Sequence, residues 1–557
     1  MRTCIIRAVA AFTISLTVGC NENNVGPGEE DGLAAFSADS MKKHIAMLAS
    51  DSFEGRKPFT AGETKTIDYL QRQFAYSGLE PGNGQSFLQE VPMVNLATQA
   101  SPTMEVQSAQ GNFQLKGFDD YVIWTDKTDS VVKLNNEEVV FAGYGVVSPE
   151  FDWNDYAGID VKGKIVMVLV NDPGFNSNDT TLFKGKTMTY YGRWTYKFEE
   201  AARQGARACL IVHNTGGASY PFSVVQNNWN GSRLHLDNRG KDEKNCDVIG
   251  WISGPTAKKM LAAAGQDSTL LASADQRGFK AVPLDLRLST SMTVKSTFDK
   301  SHNVIGKITG SDLPGEYIIY SAHWDHLGIG KADETGDSIY NGAFDNASAT
   351  AGLLELARAF KSLKTMPRRT IVFLAVTAEE QGLWGSAYYA QNPVYPIAKT
   401  VANINMDGIN PFEKTKDVIV VGQGQSELED YLKEETEKTG RYMAFETHPE
   451  AGSYYRSDHF NFAKAGVPSL YAGKGIDVVG KGKEYGKKWQ EDYSSKHYHR
   501  PSDQYDPKTW SLGGIDDLKL MFQVGKRLSF TDKLPQWKAG SEFKAIRDGS
   551  RNDKGLP

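Results

Sequence analysis

The apolar residues of "SMKKHIAMLA" recur at helical spacing. Those of "GETKTIDYLQRQFAYSGL" do the same, with Ile67, Leu70 and Phe74 on one face and Gly78 as a stop. From there to about residue 132 the pattern is of short strands broken by Gly and Pro. Between about 133 and 295, "EVVFAGYGVVSPEF" and "GKIVMVLVNDPG" read as strands bounded by turn residues. "YKFEEAARQGARACLIVHN" reads as a helix, a stop at Gly205 and a strand. From about 296, strands ("HNVIGKITG", "EYIIYSAHWDH", "TIVFLAVTAEE", "TVANINMDG") alternate with helices ("NASATAGLLELARAFKSL", "SELEDYLKEETEKTG"). This alternation predicts an α/β fold with a mixed, largely parallel sheet flanked by helices. Sites on such a sheet lie at the carboxyl ends of strands. The closing "WKAGSEFKAIRDGSRNDKGLP" reads as a polar surface tail.

Composition narrows this picture. A chain of 557 residues exceeds what one core usually holds, so two or more domains are expected. The aromatic share of 11% argues against general disorder. A formal charge of −6 gives no basic footprint, which excludes nucleic acid as an expected partner. At the start, Arg2 and Arg7 precede the apolar "AVAAFTISLTVG", which is too short to span a bilayer and ends at Cys20. That layout resembles a bacterial lipoprotein signal, although Thr17 stands where such signals usually carry leucine. It implies an exported protein, outer-membrane or periplasmic, attached to membrane only through a lipid on Cys20. An ordinary secretory signal is the alternative, and it too takes the protein out of the cytoplasm. Cys209 lies in an apolar run and reads as a buried free thiol, though pairing with Cys246 stays open. With no CxxC motif, thiolate metal binding is not expected.

The candidate chemistry gathers at the predicted strand ends. His323 and Asp325 follow "YIIYSA", Asp345 lies in "NGAFDNAS" before a helix, and Glu379 and Glu380 close "VFLAVTA". Asp407 closes "VANINM", and His499 comes much later in "HYHRPSDQYD". Two adjacent carboxylates at the mouth of a buried strand raise the cost of ionising one another. A bound cation relieves that cost. Histidines and carboxylates without cysteine suit zinc, and also manganese or cobalt. Taken singly, Asp325 or Asp345 is more often a helix cap or turn residue, and the glutamate pair could be a solvated helix start. His213 and His235 read as structural.

Two resemblances then add detail. Gly143-Tyr144-Gly145, "DYAGIDVKGKIVMV" and "KFEEAARQGARACLIVHN" resemble a protease-associated (PA) domain, a lid or docking module without catalytic residues. "SAHWDHLG", "GAFDNASATAGLLELA", "TAEEQGLWGS", "NMDG" and "YHRPSD" together resemble the family M28 zinc aminopeptidases and their zinc-exopeptidase fold. The likeness includes the N-terminal "LASDSFEGRKPFTAGE". It implies two zinc ions held by His323, Asp345, Glu380, Asp407 and His499, with Asp345 bridging them. It implies that Glu379 is the general base, that Asp325 fixes the His323 ring, and that Tyr498 steadies the oxyanion. "YRSDHF" matches a segment beside the substrate pocket, with Arg456 and Asp458 as its polar contributors. His499 fits the Tyr-His-x-Pro-x-Asp pattern and His497 does not; His326 reads as structural or pocket-lining.

The expected organisation is a signal over 1–20, a polar linker over 21–35, and an N-terminal part of the peptidase domain over 36–132. A PA domain over 133–295, a catalytic domain over 296–545 and a polar tail over 546–557 follow. The expected activity is removal of N-terminal residues from peptides with free N-termini. Rivals are a carboxypeptidase or dipeptidase on the same scaffold, a transferase of glutaminyl-cyclase type, and a non-catalytic binding protein. The intact ligand and base set weighs against the last two.

Overall fold

The computed structural model describes residue 28 and residues 31–177, 179–241 and 244–552. Cys20 and the expected signal lie outside the described residues. Among the described residues, no helix is long and apolar enough to cross a membrane.

The α/β unit is built on a mixed sheet. Arg369–Val376 is buried at every position, as a strand covered by helices on both faces must be. It pairs parallel to Leu313–His323, which pairs parallel to Thr400–Asn405. Ser469–Gly473 continues the parallel run. Antiparallel partners flank this centre: the end of Val282–Ile308 on one side and Asp417–Val420 on the other. The predicted helices lie where the periodicity placed them, at Ala38–Leu48, Ala61–Tyr76, Ser348–Lys361 and Leu428–Lys438. Gly78 takes φ +73° just after the second, a left-handed stop that glycine adopts without strain. His323, Glu379 and Asp407 all end or follow neighbouring parallel strands, so the topology alone delivers them to one edge.

A second, β-rich unit has its own cores. Strands Tyr121–Trp124, Val131–Phe141, Ile165–Leu169, Ala208–Val212 and Val248–Ile252 pack there with helix Trp194–Arg203. Cys209 and Cys246 are buried in it as free thiols. His213 Nε2–H donates to the Tyr220 carbonyl at 3.0 Å, and His235 lies on the Trp384 ring with centroids 4.1 Å apart, both structural settings. Val282–Ile308 joins the two units. Its first part pairs with Val131–Phe141, its middle with Leu88–Ala100 and its end with Arg369–Val376. The expected boundaries at 132/133 and 295/296 therefore fall inside continuous strands. An alternating pattern marks a strand but not which sheet it serves, so a strand shared by both units leaves no break in the sequence.

Two arginines differ from what their composition suggests. The expected polar tail at 546–557 begins inside the helix Lys544–Asn552. Its Arg547 is 1% exposed and donates to the carbonyls of Ile397 (3.2 Å) and Thr400 (2.7 Å). Polar composition reads as surface, but arginine buries well where it can donate to carbonyl groups. Near the N-terminus Arg56, also 1% exposed, donates to the carbonyls of Leu48 (2.7 Å), Trp324 (2.8 Å), Asn341 (2.6 Å) and Gly342 (2.9 Å). It clamps the loop after His323 to the loop before Asp345. Burial brings its pKa down to about 10, against the charges of Asp325, Asp503, Asp345 and Glu380, so it stays cationic at neutral pH.

Arg56→Met leaves these carbonyls unpaired in the interior. We expect a loss of about 3 kcal/mol or more in stability, seen as a lower thermal midpoint, and only partial recovery with Arg56→Lys. An unchanged midpoint contradicts the clamp.

Candidate metal centre

His323 is the last residue of its strand and 1% exposed. Its Nε2 stands 3.3 Å from Asp345 Oδ1, 3.7 Å from Asp407 Oδ1 and 4.0 Å from Glu379 Oε2. On its other side, Nδ1 lies 3.2 Å from the Asp325 carbonyl and 3.7 Å from Asp325 Oδ1. The carboxylate of Asp325 also accepts the backbone N–H of Glu379 (3.0 Å) and of Glu380 (3.4 Å). One buried aspartate thus fixes both glutamates and faces the His323 ring. This is why the His-x-Asp spacing matters: two residues on from the strand end, the side chain reaches the turn of the neighbouring strand.

Asp345 faces two histidines. Its Oδ1 lies toward His323 and its Oδ2 is 3.3 Å from His499 Nε2. His499 Nε2 is also 2.9 Å from Glu380 Oε2. Asp503, in the same "YHRPSD" segment, accepts the backbone N–H groups of Phe344 (3.0 Å) and Asp345 (3.2 Å) and the Tyr493 hydroxyl (2.9 Å). It holds the Asp345 loop from below. Tyr498 stacks on His499 with ring centroids 3.8 Å apart. Asp458 is fully buried and accepts the Ser386 hydroxyl at 2.5 Å through Oδ1, while its Oδ2 has no partner. Arg456 is exposed and stands apart from this cluster of short contacts.

His326, read in the sequence as structural or pocket-lining, stands inside the cluster. It is 0% exposed and its Nδ1 is 2.6 Å from Glu380 Oε1. Two groups of possible ligands result, His323 with Glu379 and Asp407, and His326 with Asp345 and Glu380. Ligand atoms within each lie no more than 4.8 Å apart. Arg56 and Asp503, which support the loops, were not singled out by sequence. Asp503 sat in a quoted motif, whereas nothing local marks Arg56.

The donors fit a divalent cation. His326 Nδ1 and Glu380 Oε1 (2.6 Å), and His499 Nε2 and Glu380 Oε2 (2.9 Å), face one another in buried contacts without hydrogen-bond alignment, and His326 Nε2 is buried with no partner. Leaving such groups unpaired is costly, and a cation satisfies them together. The electrostatics agree. Burial pushes the Glu379 carboxyl well above its usual range; Asp407, Glu380 and Asp458 push the same way, and His323 opposes them. For Glu380, burial and Asp345 push upward, but His499 and His326 outweigh them and bring it to about 2. Burial lowers the His499 pKa, yet Glu380 and Asp345 raise it to about 10. His323 is likewise raised, against its burial, by Glu379, Asp325, Asp345 and Asp407. Tyr498 stays protonated, its pKa pushed up by burial and then by Asp345, Glu380, Glu379 and Asp407.

Residues 303–521 match the model of peptidase family M28. That segment belongs to peptidase family M28. A probable zinc metalloprotease of Leptosphaeria maculans is 32% identical over 140 residues, which cover 25% of this chain and 28% of that protein. Aminopeptidase NAALADL1 of Mus musculus is 38% identical over 112 residues, covering 19% of this chain and 13% of that one. The chain therefore spans less than a third of the length of these relatives. Among solved structures it is similar to an aminopeptidase from Aneurinibacillus sp. strain AM-1, with a TM-score of 0.48, 19% identity, and coverage of 92% of this chain and 97% of that one. The M28 segment holds His323, Asp325, Asp345, Glu379, Glu380, Asp407, Asp458, Tyr498 and His499.

A histidine whose folded-state pKa is raised stabilises the metal-free fold fully below its ordinary value of 6.5. That contribution is lost as pH rises, for His499 toward about 10. Zinc competes with the same protons. The rise in melting temperature on adding zinc should therefore grow between pH of about 6 and about 8. A zinc effect that is flat or shrinks over that window contradicts the assignment.

Proposed function

We propose that this chain is an exported metal-dependent aminopeptidase that hydrolyses the first peptide bond of peptides with a free N-terminus. The observation that carries the reading is Asp345, whose two carboxylate oxygens face His323 and His499 separately, with Glu379 beside them. His323 and Asp407 would hold one zinc ion, Glu380 and His499 a second, and Asp345 both. Zinc bound there supplies Lewis acidity, polarising a carbonyl oxygen and making water a stronger acid.

The remaining roles belong to the chain's own groups. Asp325 holds the backbone of Glu379, so its carboxylate points at the space beside His323. From there Glu379 can accept a proton from the attacking water and pass it to the departing amine. Tyr498, protonated at the rim, can donate a hydrogen bond to the developing oxyanion. The unpaired Oδ2 of Asp458 suits a contact to the substrate's ammonium group, and we take the exposed Arg456 as a second polar contributor. We read the region 133–295 as a PA domain that limits access to the site. Export, with Cys20 lipidated, completes the reading. The mass of the mature N-terminal peptide tests it, and an unmodified Met1 would sink it.

Matched peptides with free and with acetylated N-termini should separate the readings. Single residues released only from free N-termini support the proposal. Loss from the carboxyl end, or cyclised N-termini without cleavage, overturns it. Glu379→Gln should keep its zinc and lose about 10²–10⁴-fold in kcat. A variant that retains turnover removes Glu379 from the chemistry.

A further inference from the structure

Lys474 lies in the loop after Ser469–Gly473, at the same carboxyl edge of the sheet as Asp407. It is partly buried and held at φ +50°, in the left-handed region that is strained for a residue with a side chain. The setting fixes it there. Gly475, next in the chain, leaves no room for a Cβ, which would meet the Asp417 carbonyl at 2.2 Å. The Lys474 carbonyl accepts Gln490 Nε2 at 3.1 Å, from helix Lys483–Lys496. The ammonium donates to the Tyr471 hydroxyl at 2.7 Å, and that hydroxyl reaches the Asp407 carbonyl at 3.4 Å. The partner of this lysine is a phenol hydroxyl and not a carboxylate.

Through Tyr471 the Lys474 ammonium stands next to the backbone of Asp407. A fixed cation beside Asp407 weakens the hold of that carboxylate on a metal ion. A strained backbone spent on such an arrangement is accounted for when an anion from outside joins it. Resting on the peptidase reading, we propose that Lys474, steadied by Tyr471, binds a carboxylate of the substrate beside Asp407. That carboxylate is either the free C-terminus of a dipeptide or the side chain of an acidic residue. This places the specificity-determining cation at Lys474 and not at the exposed Arg456.

The test uses the full zinc-loaded protein and paired probes. Leu-Ala against Leu-Ala-amide reads the terminal carboxylate. Glu against Gln, at the first and at the second position of amidated dipeptides, reads the side chain. We expect one pair to show a KM lower by about tenfold or more for the carboxylate member. Lys474→Gln should bring that ratio toward one, Lys474→Arg should keep most of it, and Lys474→Gly, which suits the positive φ, should lose it as Gln does. Equal KM values in every pair overturn the proposal. So does a ratio that survives in Lys474→Gln, or one lost in Arg456→Gln and kept in Lys474→Gln. Release from none of the probes contradicts the peptidase reading itself, and this proposal falls with it.

Discussion

Six carboxylates converge at one edge of the central sheet, and their mutual repulsion is the constraint around which the rest is arranged. Asp325, Asp345, Glu379, Glu380, Asp407 and Asp458 all come within the field of His323 or of one another, in a largely buried space. Like charges so placed cannot all ionise without compensation. His323, His326 and His499 supply part of it when protonated. A divalent cation supplies far more, while freeing the imidazole nitrogens to act as ligands.

The surrounding fold meets the mechanical side of that constraint. Parallel strands bring His323, the glutamate turn and Asp407 to one level. The loop that carries Asp345 is pinned by groups from far away: Arg56 from the N-terminal segment and Asp503 from beyond His499. The β-rich unit adds a tie of the same kind. The buried carboxylate of Glu542 takes Lys184 (2.9 Å) and the backbone N–H of Tyr190 (3.2 Å) from that unit, and the Tyr455 hydroxyl (2.7 Å) next to the pocket segment. Movement of the β-rich unit would thus be felt two or three residues from Asp458.

Much of this was legible in the chain. Period and apolar runs placed the helices and parallel strands, and the positions just past those strands named His323, Asp325, Glu379, Glu380 and Asp407. His499 needed the motif around it, because no periodicity links it to the sheet. Other features left no local trace. Arg56 and Arg547 are buried by donating to carbonyl groups that only the tertiary fold assembles. Lys474 sits in a glycine-rich loop that no motif marks. His326, next to a ligand motif, looked like a lining residue until its distance to Glu380 was seen. The junction of the two units was hidden because one strand pairs in both.

The central claim is that this cluster exists to hold metal, with Asp345 shared. The most direct measurement is zinc content per chain, by native mass spectrometry of the refilled protein and of Asp345→Asn. The account predicts two zinc ions in the natural sequence and loss of both from the variant, since Asp345 faces both His323 and His499. A chain that takes up no zinc, or a variant that binds as much as the natural sequence, would contradict it.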